Sequence, residues 1–227
     1  GVFTSVPPHL SSGSKVAGFN DLKIDIGKAG ANLVCPGDFA VYRAPAAALA
    51  GSCVTAKALD NRSGVAAVLL AAQKAAEQKG ARPVTVLLTG GEELGCRGAK
   101  TGGFALLGKV ACAVSVDVSF GNFPGCEPEH TAVLGTGAMV GVSPVLSGKV
   151  TTALKRLAKQ NNIPFTLEVM GSNTSTNADV LSVTGGGMAA GLVSIPLRNM
   201  HTPCEVINLN DLAAVANLLA QFCKEGC

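Results

Sequence analysis

The chain has no tryptophan and one tyrosine in 227 residues, and its three histidines stand far apart at positions 9, 130 and 201. Aromatic platforms on which bases or sugar rings could stack are therefore scarce. Charge is scarce as well: 15% of residues are charged, the net charge is +3, and Lys and Arg are scattered. No basic stripe for nucleic acid results. Hydrophobic residues reach 48%, but Gly, Ser and Thr interrupt them every few positions, so no run approaches the ~18 apolar residues of a membrane span. The eight cysteines, at 35, 53, 96, 112, 126, 204, 223 and 227, include no CxxC spacing. A chain this long and apolar needs no disulfide framework, so reduced thiols and a cytoplasmic location are expected. The opening Gly1-Val2-Phe3-Thr4 has no charged stretch followed by an apolar one, so no secretory leader is expected.

What is present changes texture near residue 57. Residues 1–56 are rich in Gly and Pro, with short β-like runs at 22–26 and 39–42 between the turn signals Pro7-Pro8 and Pro36-Gly37-Asp38. This reads as a small β unit. From residue 57 onward, apolar runs alternate with helical periodicity, the pattern of an α/β domain around a largely parallel sheet. Helices are expected at 61–79, 96–107, 148–161, 177–183 and 210–224, and strands at 85–88, 113–118, 165–169 and 190–194. There is no internal repeat and no low-complexity tract.

Five residues with chemistry stand at the edges of those elements, where open α/β sheets place their ligand sites. Asp60 precedes a long helix, Glu92 and Glu93 follow the run at 85–88 through Thr89-Gly90-Gly91, Asp117 closes a strand, and His201 lies just beyond another. Each has a bland alternative taken singly. Asp60 is a candidate helix cap, Glu92 and Glu93 a solvated pair, Asp117 a turn residue and His201 a satisfied core histidine. Together they make a different set, because divalent metals take carboxylate oxygens and neutral imidazole. Of two adjacent glutamates, one can ligate while its neighbour stays free to accept a proton from water.

The phrases Pro7-Pro8-His9-Leu10, Ile24-Asp25-Ile26-Gly27, Pro36-Gly37-Asp38-Phe39, Ala58-Leu59-Asp60-Asn61-Arg62, Glu92-Glu93-Leu94-Gly95-Cys96-Arg97-Gly98-Ala99, Val116-Asp117-Val118 and Ser194-Ile195-Pro196-Leu197-Arg198-Asn199-Met200-His201-Thr202-Pro203 occur in that order. In them the chain resembles the M42 aminopeptidases over nearly its whole length. The resemblance implies a three-layer α/β/α zinc-peptidase-like catalytic domain at 57–227. Residues 1–56 would then be the carboxy-terminal part of an inserted β-rich oligomerisation domain. It implies two divalent metal ions, zinc or cobalt, with Asp60 bridging them, Glu93 and His201 completing the second site and Asp117 belonging to the first. Glu92 would be the general base acting on a metal-bridging water, the substrates peptides, and the assembly a homo-oligomer built on dimers, up to a dodecamer. The chain departs from the family in having Asn199 for a Tyr and Asn177 for an Asp. The remaining ligand of the first metal is implied to be a His upstream of the inserted domain, with no counterpart here. His9 and His130 read as structural.

Three other readings compete. Gly135-Thr136-Gly137-Ala138 and Gly185-Gly186-Gly187 suggest a nucleotide site, without the full spacing of a dinucleotide fingerprint. An inactive family member acting as an assembly scaffold is the second. A glycan hydrolase using Glu92 and another acid is the third.

Overall fold

The computed structural model describes residues 1–4, 6–10, 18–80 and 82–226. Cys227 lies outside them, and the other seven cysteines are free thiols. The chain forms two compact units, Gly1–Tyr42 and Arg43–Cys227.

In the first unit, β1 (Val2–Phe3) pairs antiparallel with β2 (Ile24–Asp25), and three 3-10 turns carry the rest of the regular structure. The run at 39–42 joins no strand. Phe3 and Tyr42 meet with ring centroids 5.5 Å apart.

The second unit holds β3 (Ala47–Ala48), β4 (Cys53–Ala56), α1 (Leu59–Ala76), α2 (Arg97–Ala105), β5 (Cys112–Phe120), β6 (Ala138–Val142), α3 (Gly148–Gln160), β7 (Phe165–Val169), α4 (Asn177–Val183), β8 (Ala189–Arg198), β9 (Glu205–Asn208) and α5 (Leu209–Glu225). Seven strands make one sheet in the order β3-β4-β9-β8-β6-β7, with β5 on the other edge of β8. The texture of the sequence places residues 43–56 with the amino-terminal unit. They lie in the larger one because β3 pairs with β4 and β4 runs antiparallel to β9, with Ala56 opposite Glu205. The expected largely parallel sheet is mixed: β5–β8 and β6–β7 are parallel, whereas β3–β4, β4–β9, β6–β8 and β8–β9 are antiparallel.

Period-two alternation along β8 explains the layers. Val193, Ile195 and Leu197 point to a core shared with Leu154, Leu157, Val215 and Leu218 of α3 and α5, and with Ala67 and Ala71 of α1. Ala190 and Leu192 point the other way, to Ala99 of α2 and Ala178 and Leu181 of α4. The sheet is thus flanked by helices on both faces, and its edges and turns are left to carry the chemistry.

One expected strand is absent from the sheet. Residues 84–88 lie between α1 and α2 and pair with no strand among the described residues. Their composition suits a strand, yet a strand also needs a partner edge. Here the run lines, together with Val114 and Val116 of β5, a cavity of about 630 Å³.

Candidate metal centre

Two turns meet at the end of the sheet because β9 begins beside the end of β4 and is the return strand of a hairpin with β8. The loop from β4 into α1 carries Asp60, and the turn from β8 to β9 carries His201. Asp60 does not cap its helix. Asp60 and Asn61 have non-helical backbone angles, the peptide between them is cis, and Asn61 Oδ1 accepts the Gly64 N–H at 3.0 Å. That is the capping bond of a helix start. Asn61 also donates from Nδ2 to the Val116 carbonyl at 2.8 Å, tying the turn to β5. The Asp60 carboxylate is left free to meet His201, whose Nε2 lies 3.1 Å from Asp60 Oδ2 and 3.1 Å from Glu93 Oε1.

Asp60, Glu93 and His201 each offer one ligand atom, and these atoms all lie within 4.8 Å of one another. This is the one such group of three or more potential ligands among the described residues. The electrostatics fit a cation. Burial first, then the Glu93 charge, push the Asp60 carboxyl up to about 6, against a lowering by His201. Burial likewise raises Glu92, against a lowering by its contact with Cys96, whose Sγ lies 3.6 Å from Glu92 Oε1. Acids gathered in a partly dry place resist ionisation until positive charge joins them. Two carboxylates and an imidazole, leaving coordination positions open to water, are a donor set that zinc accepts.

Asp117 stands apart from the trio. It is buried, accepts the N–H of Val118 at 2.9 Å, and is pushed up to about 7 by burial and by the charges of Glu92, Asp60 and Glu168. Glu168 is itself raised by burial and takes the Ser194 hydroxyl at 2.7 Å. Of the remaining histidines, His130 is exposed and lies 3.6 Å from Glu127, and His9 is exposed in the first unit. Asn177 donates to Thr89 Oγ1 at 3.1 Å, and Asn199 adopts a left-handed backbone with its side chain on the Cys204 carbonyl at 3.1 Å.

The Gly135-Thr136-Gly137 phrase has a structural role. The fully buried carboxylate of Asp211 accepts the N–H groups of Gly135 and Gly137, both at 2.7 Å. Those are the donors that a phosphate would need. The glycines at 185–187 form the turn after α4, closed by Gly187 N–H on the Thr184 carbonyl at 3.0 Å.

Comparison with known proteins decides the family. The model of the M42 glutamyl aminopeptidases matches residues 1–218. This chain belongs to the M42 family. An inferred aminopeptidase of Acetivibrio thermocellus is 35% identical over 178 residues, which is 77% of this chain and 52% of that protein. The aminopeptidase APDkam598 of Desulfurococcus kamchatkensis superimposes with a TM-score of 0.83 at 30% identity, over 97% of this chain and 63% of that one. The TET1 peptidase of Pyrococcus horikoshii, which can assemble into a tetrahedron or a large octahedral shell, matches with a TM-score of 0.75 at 28% identity, over 97% of this chain and 67% of its own. The chain spans about half the length of the curated relatives it matches.

Two functional residues escape a sequence reading. Asn61 is visible only as the neighbour of Asp60. Glu205, buried at 2% exposure, accepts the backbone N–H of Asp60 and of His201, each at 3.0 Å.

Proposed function

We propose that this chain carries the metal-holding and base-supplying part of an aminopeptidase that removes amino-terminal residues from peptides. The observation that supports this most is the convergence of Asp60, Glu93 and His201, from three separate segments, on one point beside Glu92. Asp60, Glu93 and His201 would hold one divalent ion, zinc or cobalt, and Asp60 and Asp117 would contribute to a second. When bound, such ions act as Lewis acids towards the scissile carbonyl and make water acidic. Glu92 is the base: a carboxylate raised by partial burial is a stronger proton acceptor than a solvated one, so it can take a proton from the attacking water and pass it to the departing amine. Its neighbour Glu93 is turned to His201, which keeps the two adjacent acids in different tasks.

The test is Glu92→Gln in the protein extended to the full length of its relatives, assayed on aminoacyl amides. Turnover should fall by about 10²–10⁴-fold while metal content stays the same. Unchanged turnover would remove Glu92 from the mechanism.

The first unit is, in this reading, part of an oligomerisation domain, and the whole protein a homo-oligomer. Phe39 at 100% exposure and Leu33 and Val41 at 80% support it, as surface that a second copy would cover. No helix among the described residues is long and apolar enough to cross a membrane. The seven free thiols suit a reducing compartment, and we place the protein in the cytoplasm.

An inactive scaffold is the second reading, favoured by one observation: the first ion would have only Asp60 and Asp117 among the described residues. The two readings part on zinc stoichiometry in the protein extended to the full length of its relatives: towards two tight equivalents for the peptidase, at most one for the scaffold. We expect the 227-residue chain to bind at most one equivalent tightly.

A further inference from the structure

A metal site assembled from three separate segments has to be held in shape before the ion arrives, because the acids repel one another and the turns carrying them are strained. Ala58, Asn199 and His201 all have positive φ, at 56°, 57° and 61°. Left-handed backbone of this kind costs a residue with a side chain roughly 1–2 kcal/mol. Something must hold both turns.

The structure offers one group that touches both. Glu205 is the first residue of β9, next to Ala56 at the end of β4 and four residues after His201 in the hairpin from β8. Its side chain is buried, and its two oxygens are divided between the turns: Oε2 accepts the N–H of Asp60 and Oε1 the N–H of His201, both at 3.0 Å. Bonds from N–H to an ionised carboxylate are stronger than bonds between neutral partners. A carboxylate bridging two backbone amides sets the distance between two chain segments without occupying the ligand atoms themselves.

We propose that Glu205 is the positioning residue of this metal site, holding the Asp60 and His201 turns in register so that their side chains meet Glu93 around one ion. The inference rests on the reading of Asp60, Glu93 and His201 as metal ligands. Glu205→Gln keeps the shape but replaces one acceptor oxygen by an NH₂ group that faces an N–H. Partners that orient metal ligands typically account for about 10–100-fold in metal affinity.

The experiment uses the 227-residue chain with zinc, titrated against a competing chelator, for the unmodified protein and for Asp60→Ala, Glu205→Gln and Glu205→Ala. The folded fraction of each is measured under the same conditions, and cobalt is substituted to record the visible absorption of the site. About 10–100-fold weaker zinc binding per folded molecule, with an altered cobalt spectrum, is the result expected of both Glu205 variants. Unchanged affinity per folded molecule overturns the proposal. Should the variants fold poorly, amide exchange in the unmodified metal-free chain decides. The Asp60 and His201 N–H groups should exchange slowly, and exchange as fast as in an open turn overturns the bridge. Failure of the underlying reading looks different: either the unmodified chain binds no zinc, or Asp60→Ala binds it as well as the unmodified chain does.

Discussion

The two units of this chain solve the problem of apolar surface in opposite ways. In residues 43–226 the apolar side chains close on themselves: Leu154, Leu192, Val193, Ile195 and Val215 are fully buried between the sheet and its helices. In residues 1–42 no apolar side chain is buried among those described, and Leu10, Leu33, Phe39 and Val41 stand between 70% and 100% exposed. Both stretches are rich in hydrophobic residues, so composition does not separate them. What separates them is length and partner edges. About 40 residues with two-residue strands cannot enclose a core, and their apolar groups are available to another surface.

The largest effect that should follow is at the centre of the larger unit. Leu154→Ala, at a site with no exposure, should lower unfolding free energy by about 2–5 kcal/mol in denaturant titrations. A loss no larger than that of a surface change would mean that this core is not the closed one described.

An intermediate effect comes from the acids of the site. The carboxyls of Asp60 and Asp117 are raised from 3.8 to about 6 and about 7. Between about pH 4 and 7 the unfolded chain has released protons that the folded chain still holds, so their contribution to stability falls as pH rises through that window. Unfolding of the metal-free chain, followed in chelator at several pH values, should show this decline, and Asp117→Asn should make it shallower. A variant with the same pH profile as the unmodified chain would take Asp117 out of the explanation.

The smallest effect should come from the first unit. Phe39→Ser should change the stability of the isolated chain by less than about 0.5 kcal/mol, while lowering self-association seen by light scattering of the full-length protein. A stability loss approaching that of Leu154→Ala would erase the contrast between the units.

Much of the larger unit was legible in its sequence. The helix at 177–183 is found where its periodicity places it, and the other four begin and end within three residues of expectation. Asp60, Glu93 and His201 meet, as residues at element ends can. Harder to read was anything depending on a partner distant in the chain. The run at 85–88 has the composition of a strand, but pairing is a property of two edges. The change of texture near residue 57 does not coincide with the edge of the larger unit, because the Gly- and Pro-rich stretch 43–56 holds two short strands that join a sheet with β9, some 150 residues later. Asn61 took the cap that Asp60 was eligible for, and only the bonds to Gly64 and Val116 distinguish them. Glu205 begins an apolar strand, and a charge in that place is a signal that its burial makes intelligible afterwards.

One carboxylate shows how far such dependence reaches. Glu168 on β7 bonds to Ser194 on β8, although β6 runs between them, and the residue of β6 opposite Glu168 is Gly141. A Cβ there would already lie 2.8 Å from Leu192 Cβ. The charge of Glu168 is felt as far as Asp117, whose carboxyl it helps to raise. The acidity of a candidate ligand on β5 is thus lowered, from three strands away, by a carboxylate on β7.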